Sequence, residues 1–541
     1  MMKASHEVLS PGFSVAEMRR FGRAAILLVF AWVAVLLQGC ASLPKVERVP
    51  SAAIPASQNE ELGRIAVQSM RGDADAGVRP LPLSVFSMDA RLTLVRHAQA
   101  TLDLQYYLLQ NDVTGHKLLR EVRDAALRGV RVRILVDDLY TSDNDLMLME
   151  LSAYPNIEIR LFNPFPTGRA YAFTRWLFAA GDFARVNHRM HNKMLIADGA
   201  FAVAGGRNIA DEYFFSSKGG NFVDFDLLIT GDAVPRMAAI FDTYWNSERV
   251  FPLHALETTR QTPQALRDEF ERLTSDAISA YPVLPADKPD ILGYLPLSRD
   301  MQHPPLKLLY GDINVFADDP EKVTGRAEAG DDSTTVTARV GKAMATARSE
   351  VVVSSPYFIP GKLGMDEIKF ATDHGVHIKV MTNSLASNDE PFASAAYGHY
   401  RVPMLKMGVE LYEIDSAQLK NDPLIGSALG ASTGRSHSKL IVIDRKTVFV
   451  GSMNMDFRSS RLNTELGMLV NSPELAEVIM ELAKRVANGS YRLQLKEPGD
   501  HLQWVATKDG VEKIYDEEPA VDFGTRLQLL FVFPFISESL L

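Results

Sequence analysis

The sequence predicts an α/β protein built from two tandem halves, and three observations carry that prediction. HNKMLIAD at 191–198 recurs as HSKLIVID at 437–444, so His191, Lys193 and Asp198 return as His437, Lys439 and Asp444 at the same spacing. The same offset of 246 positions relates Gly129 to Gly375 and Asn208 to Asn454, which marks an internal duplication rather than one short pattern met twice. In both copies β-type runs alternate with segments of helical spacing, the pattern of a sheet with helices packed on it.

The elements follow in order. TLDLQYYLL (101–109) reads as a strand, HKLLREVRDAALRG (116–129) as a helix stopped by Gly129, and VRVRILVDD (130–138) as the next strand. The second copy repeats this with SEVVVSSPYFI (349–359), MDEIKFATDHG (365–375) and VHIKVMTNS (376–384). Met194–Ala197 reads as a short buried strand. The halves are placed at 89–250 and 330–490. Residues 40–88, rich in Ser, Ala, Pro and charge, are expected as a tether. Residues 251–329 are expected as a connector with some helix near 262–274, and 491–541 as an extension ending in the apolar RLQLLFVFPFISESLL (526–541).

Bulk properties narrow the function. The chain has 541 residues, 46% of them hydrophobic, ample for two cores. A formal net charge of -10 argues against a nucleic-acid partner, whose binder would carry a basic surface. One cysteine excludes an intrachain disulfide and a Cys-cluster zinc site. That cysteine is Cys40, in LLQGCAS, behind Arg19, Arg20, Arg23 and the apolar run Ala24–Leu37. A basic segment, an apolar run too short to span a bilayer, and small residues at the end form a secretory signal, expected over 1–39. LLQGC resembles a bacterial lipobox. It implies lipidation of Cys40 and a periplasm-facing protein anchored in the cell envelope, at the outer rather than the inner membrane. An acidic chain gains little attraction from anionic lipid surfaces, so a lipid anchor would have a purpose.

The repeated motif carries chemistry. Both copies read His-x-Lys, four residues, Asp, a second apolar strand, then Gly-Gly/Ser-x-Asn, ending at Asn208 and Asn454. Side chains at i and i+2 of extended chain share a face, so His191 and Lys193 point together, as do His437 and Lys439. An acid follows in each half: Asp224 in NFVDFDLLI and Glu465 in NTELGMLV. A neutral imidazole attacks phosphorus and an imidazolium protonates a leaving alkoxide. Lysines and asparagines hold phosphate oxygens while charge rearranges. Two copies therefore make a complete phosphodiester transferase, with neither metal nor cofactor called for. His97, His116 and His188 have no repeat partner and are expected to be structural.

The paired motifs resemble the phospholipase D superfamily. GRNIADEYF (206–214), NHRMHNKMLIAD (187–198) and the stretch from Ser384 to Glu413 are similar to its bacterial cardiolipin synthase branch. The resemblance implies two α-β-α sandwich halves related by a pseudo-two-fold, with the active site at their interface. It implies His191 as nucleophile, forming a phosphatidyl-histidine, and His437 as general acid and then base. Lys193, Lys439, Asn208 and Asn454 would bind phosphate. Asp224 and Glu465 would orient the opposing histidines. Asp198 and Asp444 belong to the catalytic motif and are expected to pin the turn after the strand. Phospholipids are the expected substrates. Hydrolysis to phosphatidic acid uses the same residues and stays open as an alternative, as does, more remotely, a nuclease or other phosphodiesterase. AYAFTRWLFAAGDF (170–183) and the apolar C-terminus are candidate contacts with a bilayer interface.

Overall fold

The computed structural model describes residues 43–524, with 279–287, 325–331, 420–432 and a few single positions excepted. Cys40, the signal segment before it and the apolar stretch 526–541 lie outside the described residues.

The strands of the first half are β1 (Ala76–Leu81), β2 (Thr101–Tyr106), β3 (Arg131–Asp137), β4 (Ile157–Phe162), β5 (Met194–Ala197), β6 (Phe201–Gly205), β7 (Gly220–Val223), β8 (Asp226–Gly231) and β9 (Val250–Pro252). Those that follow are β10 (Leu309–Ala317), β11 (Glu350–Ser354), β12 (His377–Asn383), β13 (Glu410–Ile414), β14 (Thr433–Ser436), β15 (Leu440–Ile443), β16 (Thr447–Gly451), β17 (Leu466–Asn471), β18 (Ser490–Lys496), β19 (His501–Lys508) and β20 (Val511–Tyr515). β2, β5, β6 and most of β3 and β8 are buried along their whole length, as expected of strands covered on both faces. The two glycine stops hold. The helices Val113–Leu127 and Gly361–Asp373 are followed by Gly129 at φ 100° and Gly375 at φ 81°, a left-handed turn that glycine adopts without strain.

The duplication is written into the sheet order. Outward from β1 the neighbours are β8, β6, β5, β2, β3, β4 and β9; outward from β10 they are β17, β16, β15, β11, β12, β13 and β18. β1 and β10 pair antiparallel, Gly77 opposite Tyr310, and join the two halves into one continuous sheet. A central core cluster draws from both, with Ile196, Ala202 and Leu227 of the first half beside Val442, Val448 and Met468 of the second.

The expected tether and connector are corrected here. Residues 40–88 contain the helix Glu61–Ser69 and the fully buried β1, and β10 lies inside 251–329. Gly77, Arg79 and Pro80 make AGVRPL read as loop. Arg79 is buried nonetheless, because its guanidinium meets Asp300 at 2.7 Å. The helix expected near 262–274 is Pro263–Leu273, capped by Thr262. The extension begins as sheet, since β18–β20 widen the second half.

Candidate active site

Each histidine stands just before the first strand of a tight hairpin. β5 and β6 turn through Asp198 (φ 50°) and Gly199 (φ 60°), closed by Ala200 N–H donating to Ala197 O at 3.0 Å. β15 and β16 turn through Asp444 and Arg445 in the same way, closed from Lys446 to Ile443. These are primed turns, which match the twist of a two-stranded ribbon. The Asp198 carboxylate accepts from the backbone N–H groups of Gln99, Ala100 and Thr101. Asp444 accepts from Arg348, Ser349 and Glu350. Both aspartates therefore tie the hairpin to the strand beside it, at the opposite end from the histidines.

The histidine ends are held by the other half. His191 N–H donates to Thr464 O at 2.8 Å, and Thr464 N–H donates to Arg189 O at 2.9 Å. On the symmetric side β14 runs parallel to β7, and His437 N–H donates to Val223 O at 2.8 Å. Thr464 precedes Glu465, and Val223 precedes Asp224. This exchange of backbone brings His191 Nδ1 to 2.9 Å from Glu465 Oε2 and His437 Nδ1 to 2.6 Å from Asp224 Oδ2. Each ring is packed edge-on by a tyrosine: Tyr107 with its centroid 5.0 Å from His191, and Tyr213 5.2 Å from His437. With Nδ1 facing a carboxylate, Nε2 is the nitrogen left for chemistry on each ring.

Both rings line one cavity of about 510 Å³, together with Asn208, Asn454, Tyr107, Tyr213, Arg189, Asp456 and Arg458. Lys193 Nζ donates to His191 O at 2.5 Å, and Lys439 Nζ lies 3.0 Å from both nitrogens of His437. Asn208 is pinned at both ends, accepting from Leu108 N–H and donating to the Tyr213 hydroxyl. Asn454 keeps a buried, unpartnered side-chain oxygen.

Electrostatics separate the two copies. Burial pushes His191 down to about 4 against the pull of Glu465, and burial together with Lys439 holds His437 well below its ordinary value. Burial lowers Lys193 to about 7 and Lys439 to about 8. Burial raises Asp224 to about 6. At Glu465 burial is outweighed by His191, Lys193 and Ser452, and the carboxyl lies below its ordinary value. Beyond His191 and Lys193, part of the difference lies in the hydroxyls around Glu465. Ser452 donates its hydroxyl to Glu465, and Ser459 donates at 2.8 Å. The residue equivalent to Ser452 is Gly206, where a Cβ would collide with the Asp224 carboxylate. Glu465 thus has two hydroxyl donors that Asp224 lacks.

Residues 92–245 and 340–487 match the family described as "Cardiolipin synthase, PLD-like domain". Over 456 residues the chain is 34% identical to cardiolipin synthase C of Escherichia coli (strain K12), covering 84% of this chain and 93% of that relative. The chain belongs to this cardiolipin synthase, phospholipase D-like family. A cardiolipin synthase of Staphylococcus aureus (strain N315) is 27% identical over 423 residues, covering 78% of this chain and 69% of the relative. The crystal structure of phosphatidylserine synthase from Haemophilus influenzae Rd KW20 superposes with a TM-score of 0.52 at 15% identity, covering 84% of this chain and 90% of that one, and supports the fold.

The cavity also holds residues that the two quoted motifs of this family do not single out. Arg189 was within reach of sequence reasoning, because an arginine stands two residues before each histidine, at Arg189 and Arg435. Asp456, raised to about 6 by burial, has Ala210 at its equivalent position, so comparing the halves passes over it. Of the other histidines, His116 is held between Asp276 and Asn111. Among the described residues no helix is long and apolar enough to cross a membrane, and no group of three or more His, Cys, Asp and Glu side chains is arranged to hold a metal ion.

Proposed function

We propose that this protein is a phosphatidyltransferase that makes cardiolipin from phosphatidylglycerol and a second phospholipid, phosphatidylglycerol or phosphatidylethanolamine. The observation that carries the reading is the pair of histidines facing one cavity, each bound through Nδ1 to a carboxylate of the opposite half.

His191 Nε2 attacks the phosphorus of the donor lipid, forming an N–P bond as the P–O bond to the leaving alcohol breaks. His437 gives its Nε2 proton to that alkoxide. The acceptor hydroxyl then yields its proton to His437, its oxygen attacks phosphorus, and the N–P bond breaks to free His191. The negative phosphodiester raises His437 toward the protonated form that this step needs. Lys193, Lys439, Asn208 and Asn454 take up the charge shifting onto the phosphate oxygens. The assignment of attack to His191 is supported by the better-supported acid behind it: Glu465 stays ionised and stabilises positive charge growing on His191, while Asp224 holds protons more readily. Exchanging one phosphodiester for another needs no nucleotide triphosphate, which suits the envelope location that the lipobox at Cys40 supports.

The test is the full chain on vesicles of phosphatidylglycerol and phosphatidylethanolamine, with products read by mass spectrometry and His191→Ala as control. Cardiolipin with release of glycerol or ethanolamine is the expected result, and the alcohol released identifies the donor. Phosphatidic acid alone would make water the acceptor and the protein a hydrolase. Undiminished transfer by His191→Ala would sink the mechanism.

A further inference from the structure

The helix Ala172–Phe178 is built inside out. Its one charged side chain, Arg175, is 1% exposed and donates to Asp138 O at 2.9 Å and Asp145 Oδ2 at 2.6 Å. Its large apolar side chains face solvent. Phe173 is 76% exposed, Tyr171 beside it is 72% exposed, and Leu177, Phe178 and the following Phe183 are open as well. The nearby Asp182 and Arg185 pair with each other at 2.6 Å, so the patch carries no unbalanced charge there. A soluble surface helix shows the reverse arrangement, and a contiguous exposed apolar patch marks an interaction site.

The patch borders the reaction cavity. Trp176 is 39% exposed and also lines the space that holds His191, and Tyr140, half exposed, lines it too. On the reading that the substrate is a phospholipid, a cavity of about 510 Å³ takes a molecule of drug size, which covers a head group and glycerol backbone but not two long acyl chains. The chains must leave past the rim and remain in an apolar phase. The amino-terminal segment points the same way. Arg48 Nε donates to Val250 O at 2.6 Å, on the sheet edge where Asn163 N–H binds Arg249 O. Asn163 in turn donates to the carbonyls of Arg185 and His188, under the patch. On the lipobox reading the anchor is Cys40, eight residues before Arg48, a span of at most about 29 Å. A lipid at Cys40 would thus start within reach of this edge.

We infer that the exposed face of the helix Ala172–Phe178, with Tyr171 and Phe183, seats the protein on a phospholipid bilayer at the mouth of the cavity. Aromatic side chains suit the boundary between head groups and acyl chains. With no unpaired cation in the patch, this contact is apolar and holds in high salt.

The test uses the full chain with vesicles of phosphatidylglycerol and phosphatidylethanolamine whose acyl chains are brominated. Emission from Trp176 is isolated as the difference between the chain and its Trp176→Phe variant. Severalfold quenching relative to unbrominated vesicles is expected, unchanged in high salt and largely lost in Tyr171→Gln/Phe173→Gln. That double variant should also lose about tenfold or more of its transfer rate on vesicles, the scale of withholding two aromatic side chains from an apolar phase. It should keep its rate on a short-chain phosphatidylglycerol dispersed as monomers. An unquenched Trp176, or equal loss on both substrates, would overturn the inference. So would a variant that dissociates a dimer with quenching unchanged, which would make the patch a contact between copies. A chain that is quenched yet transfers no phosphatidyl group would sink the functional reading and leave the docking face standing.

Discussion

Replacing Glu465 by Gln removes one charge and almost no volume. Glu465 is fully buried and receives His191 Nδ1 at 2.9 Å, with Ser452 and Ser459 on its remaining lone pairs. On the proposed mechanism the His191 ring becomes positive as it attacks phosphorus. Unit charges about 4 Å apart interact by about 4 kcal/mol at an effective dielectric near 20. The neutral amide keeps a hydrogen bond worth about 1 kcal/mol. The net loss of about 3 kcal/mol corresponds to roughly a hundredfold lower kcat. The serine hydroxyls can turn to accept from the new amide, so the fold should survive. The assay is the rate of phosphatidyl transfer on mixed vesicles, with a thermal unfolding curve beside it to establish that the variant is folded. A folded Glu465→Gln enzyme within about threefold of the parent rate would refute the claim that this carboxylate supports His191 through its charge.

Four further outcomes follow from the same geometry. Ser452→Ala should raise the Glu465 carboxyl toward its ordinary value and slow transfer by about tenfold, since a hydrogen bond to a charged group is worth about 1.5–3 kcal/mol; steady-state kinetics on the same vesicles check this. Burial holds Lys193 near 7 and Lys439 near 8, so both lose their charge as pH rises through that range; kcat/KM should fall over the same window, and a profile flat from 6 to 9 would contradict it. Lys193→Met should abolish transfer yet raise the unfolding midpoint. The folded pKa lies below the ordinary 10.5, so charge burial costs stability fully below about pH 7, and the gain should shrink as pH approaches 10.5. Asp198→Ala strips three backbone amides of their acceptor and should lower the unfolding midpoint by a few degrees, while activity per folded molecule, measured after correcting for the folded fraction, stays within about twofold.

Much of the site was legible in the sequence because the duplication acts as its own control. A motif met once is weak, but His, Lys, Asp and Asn met twice at one offset cannot be an edge strand's solvated polar residues. Asp198 and Asp444, expected at the turn, accept from backbone amides of the neighbouring strand. What the repeat cannot convey is which half supplies each partner. The repeat alone puts Asp224 and His191 in one half; the pairing of each acid with the opposing histidine was implied only by the family resemblance, and the pairing of β7 with β14 sets Asp224 beside His437. Nor does a symmetric reading weigh Gly206 against Ser452, although that difference gives Glu465 a hydroxyl donor that Asp224 lacks. β1 and β10 were missed because the strands that join the halves carry Gly, Arg and Asp, tolerated through pairing with distant residues such as Asp300. The outward-facing aromatics of 171–178 were visible as composition, but only the buried Arg175 fixes which way they point.

The central claim is that His191 carries the phosphatidyl group between two lipids. The most direct measurement is labelling with phospholipid bearing radioactive phosphorus, quenched in alkaline detergent where an N–P bond survives, followed by proteolysis and mapping of the labelled peptide at alkaline pH. The account predicts label on the peptide containing His191, absent in His191→Ala and, with a donor whose leaving group needs no proton, such as a nitrophenyl ester, accumulating in His437→Ala, which cannot activate the acceptor. Label on the His437 peptide, or rapid transfer with no labelled protein under the same quench, would contradict it.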